Sequence, residues 1–277
     1  MQAYQSDAKA VRTENHKKYD SIKNRPLAVT EDTTKQLVTY VIPAWLHINI
    51  AVGTFHYKWF EVLARAIDSV IVGETDYISF SAASDRASGT TLAAFTTAAN
   101  KVGIVKTQYH GGSLEGNHCR RLFVAENADK LVLSIRESIV GAQELNDEQR
   151  QKCFEFLRYI RQSIDLFTKV RTGVLGSETI KSFQRMSIQR DINSFVEKYK
   201  ESYNFTGKMN ITPKLHVLLT HTTEFLGSAP LNLGLLCEEG NEALHKENKI
   251  LFNTVCASLK KNKLLKLLQR STLRRLH

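Results

Sequence analysis

Two segments of this chain concentrate the residue types that bind metals. Residues 234–245 read GLLCEEGNEALH, which places Glu238, Glu239, Glu242 and His245 within one or two helical turns of a glycine. Residues 211–221 read ITPKLHVLLTH and carry His216 and His221. Carboxylates and imidazoles crowded together are the raw material of divalent-cation sites, because hard cations take oxygen ligands and zinc takes nitrogen. Two-metal phosphodiester cleavage needs several such oxygens to balance two dications. Glu239 alone does not supply them, although Glu238 and Glu242 stand one and three positions away. A glutamate at a helix start is also favoured by the helix dipole with no metal present. His216 and His221 lie about 140° apart on an ideal helix, which is poorer than the four-residue spacing that aligns two imidazoles. Structural zinc wants four ligands, and His110, His118, Cys119 and Cys237 are the available completing groups, none fixed by spacing. The bland alternative is two histidines bonded to backbone in a core or interface.

These segments need a scaffold, and the periodicity predicts a helical one. Apolar residues recur at steps of three and four through 45–72, after Pro43, and through 147–170, where Cys153, Phe156, Leu157, Ile160, Ile164 and Phe167 form one stripe. Further helices are expected over 33–42, 90–102 and 120–139, over a stretch capped by Ser177 and reaching Tyr199, and from Thr212-Pro213 to Gly227. The last long helix is expected to open at Glu238 or Glu239. The Ser-, Ala-, Asp- and Gly-rich stretch 73–89 reads as a loop, 109–117 reads as a turn, and Gly173 and Gly176 as helix terminators. No period-2 pattern is sustained, so the fold class is mainly α with few or no strands. Residues 1–30 read as a polar lead-in, 31–245 as the helical domain and 246–277 as a basic C-terminal helix.

Composition narrows the function classes. With 42% hydrophobic and 24% charged residues, the chain is ordinary globular protein rather than disordered. Its four cysteines form no C-x-x-C pair, which points to reduced thiols in a nuclear or cytoplasmic, intracellular setting. The N-terminus lacks the apolar core of a secretory signal, and no apolar run approaches a membrane span, so no membrane partner is expected. No G-x-S-x-G, H-E-x-x-H or Walker pattern occurs. The net charge of +10 is uneven: 246–277 holds nine Lys/Arg against Glu247 alone, +8, leaving about +2 for the rest. Lys260, Lys261, Lys263, Lys266, Arg270, Arg274 and Arg275 alternate with leucines, so one face can pack while the other meets a polyanion. DNA is the expected partner and an anionic membrane surface the rival.

Four islands, in order, suggest a family. Leu46-His47-x-x-Ile50 resembles an LH-x-D-I segment, with Asn49 in place of the Asp. Gly116-Asn117-His118-Cys119-Arg120-Arg121-Leu122 resembles GN-x-x-RKL. Ile211 to Glu224 resembles a two-histidine helix, and Glu239-Gly240-Asn241-Glu242 an EGNE motif. Together they resemble the Transib-type transposases and the V(D)J recombination-activating proteins. The strings Tyr109-His110-Gly111-Gly112-Ser113 and Gly234-Leu235-Leu236 are similar to transposon-derived invertebrate proteins of that group. The resemblance implies the helical insertion and final catalytic helix of an RNase H-like (DDE) recombinase. It implies Glu239 as catalytic Mg²⁺ or Mn²⁺ ligand and His216 and His221 as zinc ligands. Arg120 and Arg121 are then expected, with the basic helix, to contact DNA, and a homodimer is possible for such a protein. Neither family Asp nor the family C-x-x-C has a counterpart here, so the chain is expected to be inactive alone and its zinc site incomplete. Any active site would have to recruit carboxylates such as Asp68, Asp76 or Asp85. The alternative is a helical interaction or structural protein with no nucleic-acid role.

Overall fold

The structure is a computed structural model and describes residues 45–81, 89–106, 114–175, 181–207, 212–222 and Leu226. The chain divides into two units, Met1–Leu236 and Cys237–His277, and every described residue lies in the first. The elements are α1 (Trp45–Ile71), α2 (Thr90–Lys101), α3 (Gly116–Leu122), α4 (Ala125–Gly141), α5 (Asp147–Val174), α6 (Ser182–Lys200), α7 (Ser202–Thr206) and α8 (Pro213–His216). A π turn, Val217–His221, continues α8. The only strand-like pairing among the described residues is one antiparallel bridge, Lys106 to Leu114. Mainly α with few or no strands therefore holds for this part of the chain.

Helix α1 is the axis. It packs against α2, α3, α4, α5 and α8, while α5 also packs on α4 and α6. Burial on several sides explains its composition: its buried residues run from Trp45 to Val70 and include small Gly53, Ala64 and Ala66. A helix apolar on all faces is stable only where other helices cover it. Gly53 is where α3 comes closest, since a Cβ there would lie 2.6 Å from Cys119 Sγ. The core continues in rings. Phe167 stacks on Trp45 at 6.2 Å and meets Phe123 at 4.8 Å and Phe195 at 5.2 Å, joining α1, α5 and α6.

The helix ends follow known chemistry. Helix α1 closes with Gly73 at φ 73°, with Gly73 N–H on Val70 O and Glu74 N–H on Ser69 O. Helix α2 repeats the device with Gly103 at φ 70° and buried Ile104 bonded back to Ala99 O at 2.8 Å. Asn146 and Gln149 form a reciprocal capping box on α5. Thr212 caps α8, whose first residue is Pro213.

The start of α2 is different, because its own N-cap, Gly89, has no side chain to offer. Asp68 of α1 caps it from outside. Its Oδ1 accepts Thr91 N–H at 2.8 Å, and its Oδ2 accepts Gly89 N–H at 2.9 Å and Leu92 N–H at 3.0 Å. The carboxylate is buried, and the positive end of the α2 dipole faces it. Glycine at 89 leaves the carboxylate room, since a Cβ would fall 2.5 Å from Asp68 Cγ.

Several expectations are corrected. The helix expected over 120–139 is two helices, broken at Phe123 and Val124, and Gly116 and Asn117 belong to α3 rather than to a turn. Gly173 lies inside α5, where a Cβ would meet Ile188 Cγ1 at 2.8 Å, so it marks the close approach of α6 rather than a helix end. In the sequence Phe183 continues the apolar pattern of Ile188, Ile192, Phe195 and Tyr199 and is expected in the core, but it is exposed. The expected elements at 1–30, 33–42 and beyond 226, the Ser177 cap and Gly176 fall outside the described residues.

Replacing Asp68 with Ala leaves three buried N–H groups without an acceptor and is expected to cost about 3 kcal/mol. Asp68→Asn keeps one acceptor and should cost about half as much. Urea-unfolding midpoints check both; a loss below about 0.5 kcal/mol for Asp68→Ala would show that α2 does not depend on this cap.

Candidate functional site

The residues singled out by sequence separate in space and in accessibility. Helix α3 carries Arg120 and Arg121, both exposed. It is held to α1 at two points. A Cβ on Gly116 would come within 2.8 Å of Leu46 Cδ1, and Cys119 Sγ lies 3.9 Å from Ile50 O. The Arg121 guanidinium donates to Gly103 O at 2.8 Å, fixing it against the C-terminal turn of α2. Lys101, exposed at that same helix end, adds a third cation. The negative pole of α2 is thus capped by positive charge, with guanidinium surface left to solvent.

His216 is exposed at the junction of α8 and the π turn. Within the π turn the hydrogen bonding is five residues apart, with Thr222 N–H reaching Val217 O. Positions 216 and 221 therefore follow each other about one turn along, a closer relation than the α-helical 140° predicts. Buried Leu215 and Leu218 seat this segment. His118 is half-buried on α3, its Nδ1 enclosed without a hydrogen-bond partner among the described residues, while Cys119 is fully buried beside Gly53. Among the described residues no three His, Cys, Asp or Glu side chains gather as a metal-binding group. Glu239, the glutamates beside it, Asp85, His110, Cys237 and Lys260, Lys261, Lys263, Lys266, Arg270, Arg274 and Arg275 lie outside the described residues. Of the carboxylates an active site might recruit, Asp68 has both oxygens committed to α2. Asp76 is exposed in the loop after α1. Among the described residues no helix is long and apolar enough to cross a membrane.

The structure also pairs two groups that the sequence does not bring together. His56 of α1 and Ser163 of α5, 107 positions apart, lie with Nε2 and Oγ at 2.9 Å. The other ring nitrogen, Nδ1, is 2.8 Å from Val52 O. A carbonyl only accepts, so Nδ1 carries the proton and Nε2 accepts from the Ser163 hydroxyl. Histidine beside serine is the geometry of a base and a nucleophile. Here both side chains are 0% exposed. Trp59 and Phe123 close over the imidazole, with ring centroids at 5.0 and 5.9 Å. A substrate cannot reach the pair, and its role is to tie α1 to α5. Burial pushes the imidazole down to about 4, against a smaller upward pull from the bond to Val52. Nearby Tyr159 and Tyr199 are pushed up by burial, Tyr199 to about 12, so both stay neutral phenols.

No protein-family model, curated protein or solved structure matches the chain.

The buried imidazole gives a pH dependence with a definite sign. Unfolded, His56 takes a proton near pH 6.5; folded, only near 4. Between those values the unfolded state binds more protons, so stability is full above about 6.5 and falls as pH drops. The expected loss between pH 7.5 and pH 5 is about 2 kcal/mol from this group. His56→Gln, although weaker at neutral pH, should lose that slope. Urea midpoints at the two pH values check this, and equal slopes in both proteins would refute it.

Proposed function

We propose that this chain is a transposase-derived, DNA-associated protein, similar to the helical C-terminal part of an RNase H-like recombinase and unable to cut DNA alone. The observation that supports the reading best is the convergence of the resemblance islands on α1. The LH-x-N-I segment forms the first turns of α1, the GN-x-x-RR segment is α3 packed against Leu46 and Ile50, and α8 with its histidine also packs on α1. Segments about 70 and 165 positions apart in sequence thus share one packing centre, as parts of one ancestral domain would. The charge supports a DNA partner. Arg120 and Arg121 on α3 and Lys101 at the end of α2 that Arg121 reaches are exposed cations, and 246–277 carries the sequence-level excess of +8. Phosphates are bound by such clusters through counterion release, which requires no base-specific contact. Catalysis is a different matter, since Glu239 is the only family carboxylate with a counterpart in the sequence. One carboxylate does not hold two cations in the in-line geometry of phosphoryl transfer. Zinc, if it binds at His216 and His221, has at most half of a structural ligand set from them.

Two outcomes are expected from the purified full chain. Duplex DNA should bind with little sequence preference, and affinity should fall with salt with a slope of roughly four to six phosphate contacts. Truncation after Leu259 should remove most of that slope, and Arg120→Ala with Arg121→Ala about one to two contacts more. Fluorescence anisotropy against salt measures both; binding to anionic vesicles but not to DNA at equal ionic strength would decide for a membrane-surface role. Supercoiled DNA should stay uncut in Mg²⁺ or Mn²⁺. Cutting that Glu239→Gln abolishes would show that other carboxylates complete the site.

A further inference from the structure

We infer that the outer face of α4 is the seam of a two-fold dimer of this chain. Helix α4 has two apolar sides. Ala128, Leu131, Ile135 and Ile139 face inward and are fully buried. On the opposite side stand Leu133, Arg136, Glu137 and Val140, at the i, i+3, i+4, i+7 spacing of a helix-packing stripe. Leu133 is 52% and Val140 65% exposed, large apolar side chains at both ends of the stripe. Arg136 and Glu137 between them are exposed, and neither has an ion pair or hydrogen bond among the described residues.

The stripe is complementary to itself. Two antiparallel copies of α4 related by a two-fold axis between positions 136 and 137 set Leu133 opposite Val140 of the second copy. The same axis sets Arg136 opposite Glu137 of the second copy, and both contacts occur twice. Parallel pairing sets Arg136 against Arg136, and a one-turn slip sets Leu133 against charge. Charge and apolar pattern therefore select one register. Arg136 and Val140 of the stripe also line a groove of about 440 Å³ between α4 and α5, whose other walls include Val132, Phe154, Leu157, Arg158 and Arg161, the last already paired with Asp129 and Asp165. It offers space for side chains of the arriving helix and a further cation for its carboxylates.

Other occupants fit less well. Nucleic acid gains nothing from Leu133 or Val140 and is repelled by Glu137. The chain's own basic segment brings cations toward Arg136 and Arg158. Helix α4 has 17 residues, about 25 Å of contact, so the interface is at the small end of specific ones and the dimer is expected to dissociate in the micromolar range, roughly 1–100 µM. This inference is independent of the DNA reading.

Sedimentation equilibrium of the full chain up to roughly 200 µM tests it, a range that brackets an interface of this size. The wild type should dimerise reversibly. Arg136→Glu and Glu137→Arg should each weaken association by roughly tenfold or more, since each sets like charges opposite one another twice. The Arg136→Glu, Glu137→Arg double variant should recover it, because its charges are again opposite in the same register. Leu133→Arg should be monomeric. All four positions are exposed, so circular dichroism and melting temperature, compared at a concentration low enough for every protein to be monomeric, should match the wild type and separate dissociation from misfolding. A chain monomeric throughout that range, or a dimer that Leu133→Arg leaves intact, overturns the proposal. Single reversals that weaken association while the double variant fails to restore it overturn the two-fold register.

Discussion

A helix enclosed by its neighbours sets the terms for the whole described bundle. Of the 27 residues of α1, 18 are buried, too many for one face, so several of its faces are covered, by five other helices among the described residues. Packing on all sides demands small residues where backbones approach, which is why Gly53 faces Cys119. It also demands that a buried polar side chain on α1 find a partner within the protein, on this helix or on another, because solvent is not within its reach. Asp68 and His56 do so. The first bonds three N–H groups at the start of α2, and the second bonds Ser163 of α5. The polar groups on this helix thus become its attachment points, holding α2 and α5 in place with directional bonds that apolar packing does not supply.

Asn49 departs from that arrangement. It is fully buried, and among the described residues neither its amide oxygen nor its amide nitrogen has a hydrogen-bond partner. It stands where the LH-x-D-I segment that this stretch resembles has an aspartate. An ionised carboxylate enclosed there without partners would cost several kcal/mol more than a neutral amide. The environment of this position suits a neutral side chain, and a metal-ligating role for it has no support in the surrounding groups. The contrast with Asp68, about five turns further along the same helix, shows what a buried carboxylate requires: several backbone donors, here the open end of α2.

Much of the helical layout was legible because burial leaves a period. The stripes of α1 and α5, the Thr-Pro start of α8 and the loop after α1 follow from spacing and from Gly, Pro and Thr chemistry. Expectation failed where one physical signal had two causes. Gly173 reads as a terminator, yet it serves close approach to Ile188. The apolar pattern runs through Phe123, which is buried whether or not the helix continues, so the break between α3 and α4 leaves no trace in periodicity. Phe183 fits the stripe by spacing but is exposed in the first turn of α6, because spacing marks a face of the helix and not whether that face is covered. Partners were the least legible. The Asp68 cap spans 21 to 24 positions and the His56 pair 107, and no local pattern encodes contacts that only the tertiary fold creates.

The same distinction decides what the motif islands can say about function. In the GN-x-x-RR segment, Gly116 is fixed by Leu46, Cys119 by Gly53 and Leu122 by complete burial. Those members report on a fold, because any protein that packs α3 on α1 this closely needs small or apolar residues there. Arg120 and Arg121 are under no such constraint. Arg121 needs only one guanidinium nitrogen for Gly103 O, and the exposed remainder contributes charge rather than packing. Information about a partner therefore resides in the exposed cations of α3, in the exposed, self-complementary stripe of α4 and in the basic segment of the sequence. The charge of the first and last suits a polyanion. The stripe, with a carboxylate and two large apolar side chains, suits protein, so the two surfaces can be engaged at once without competing for one ligand.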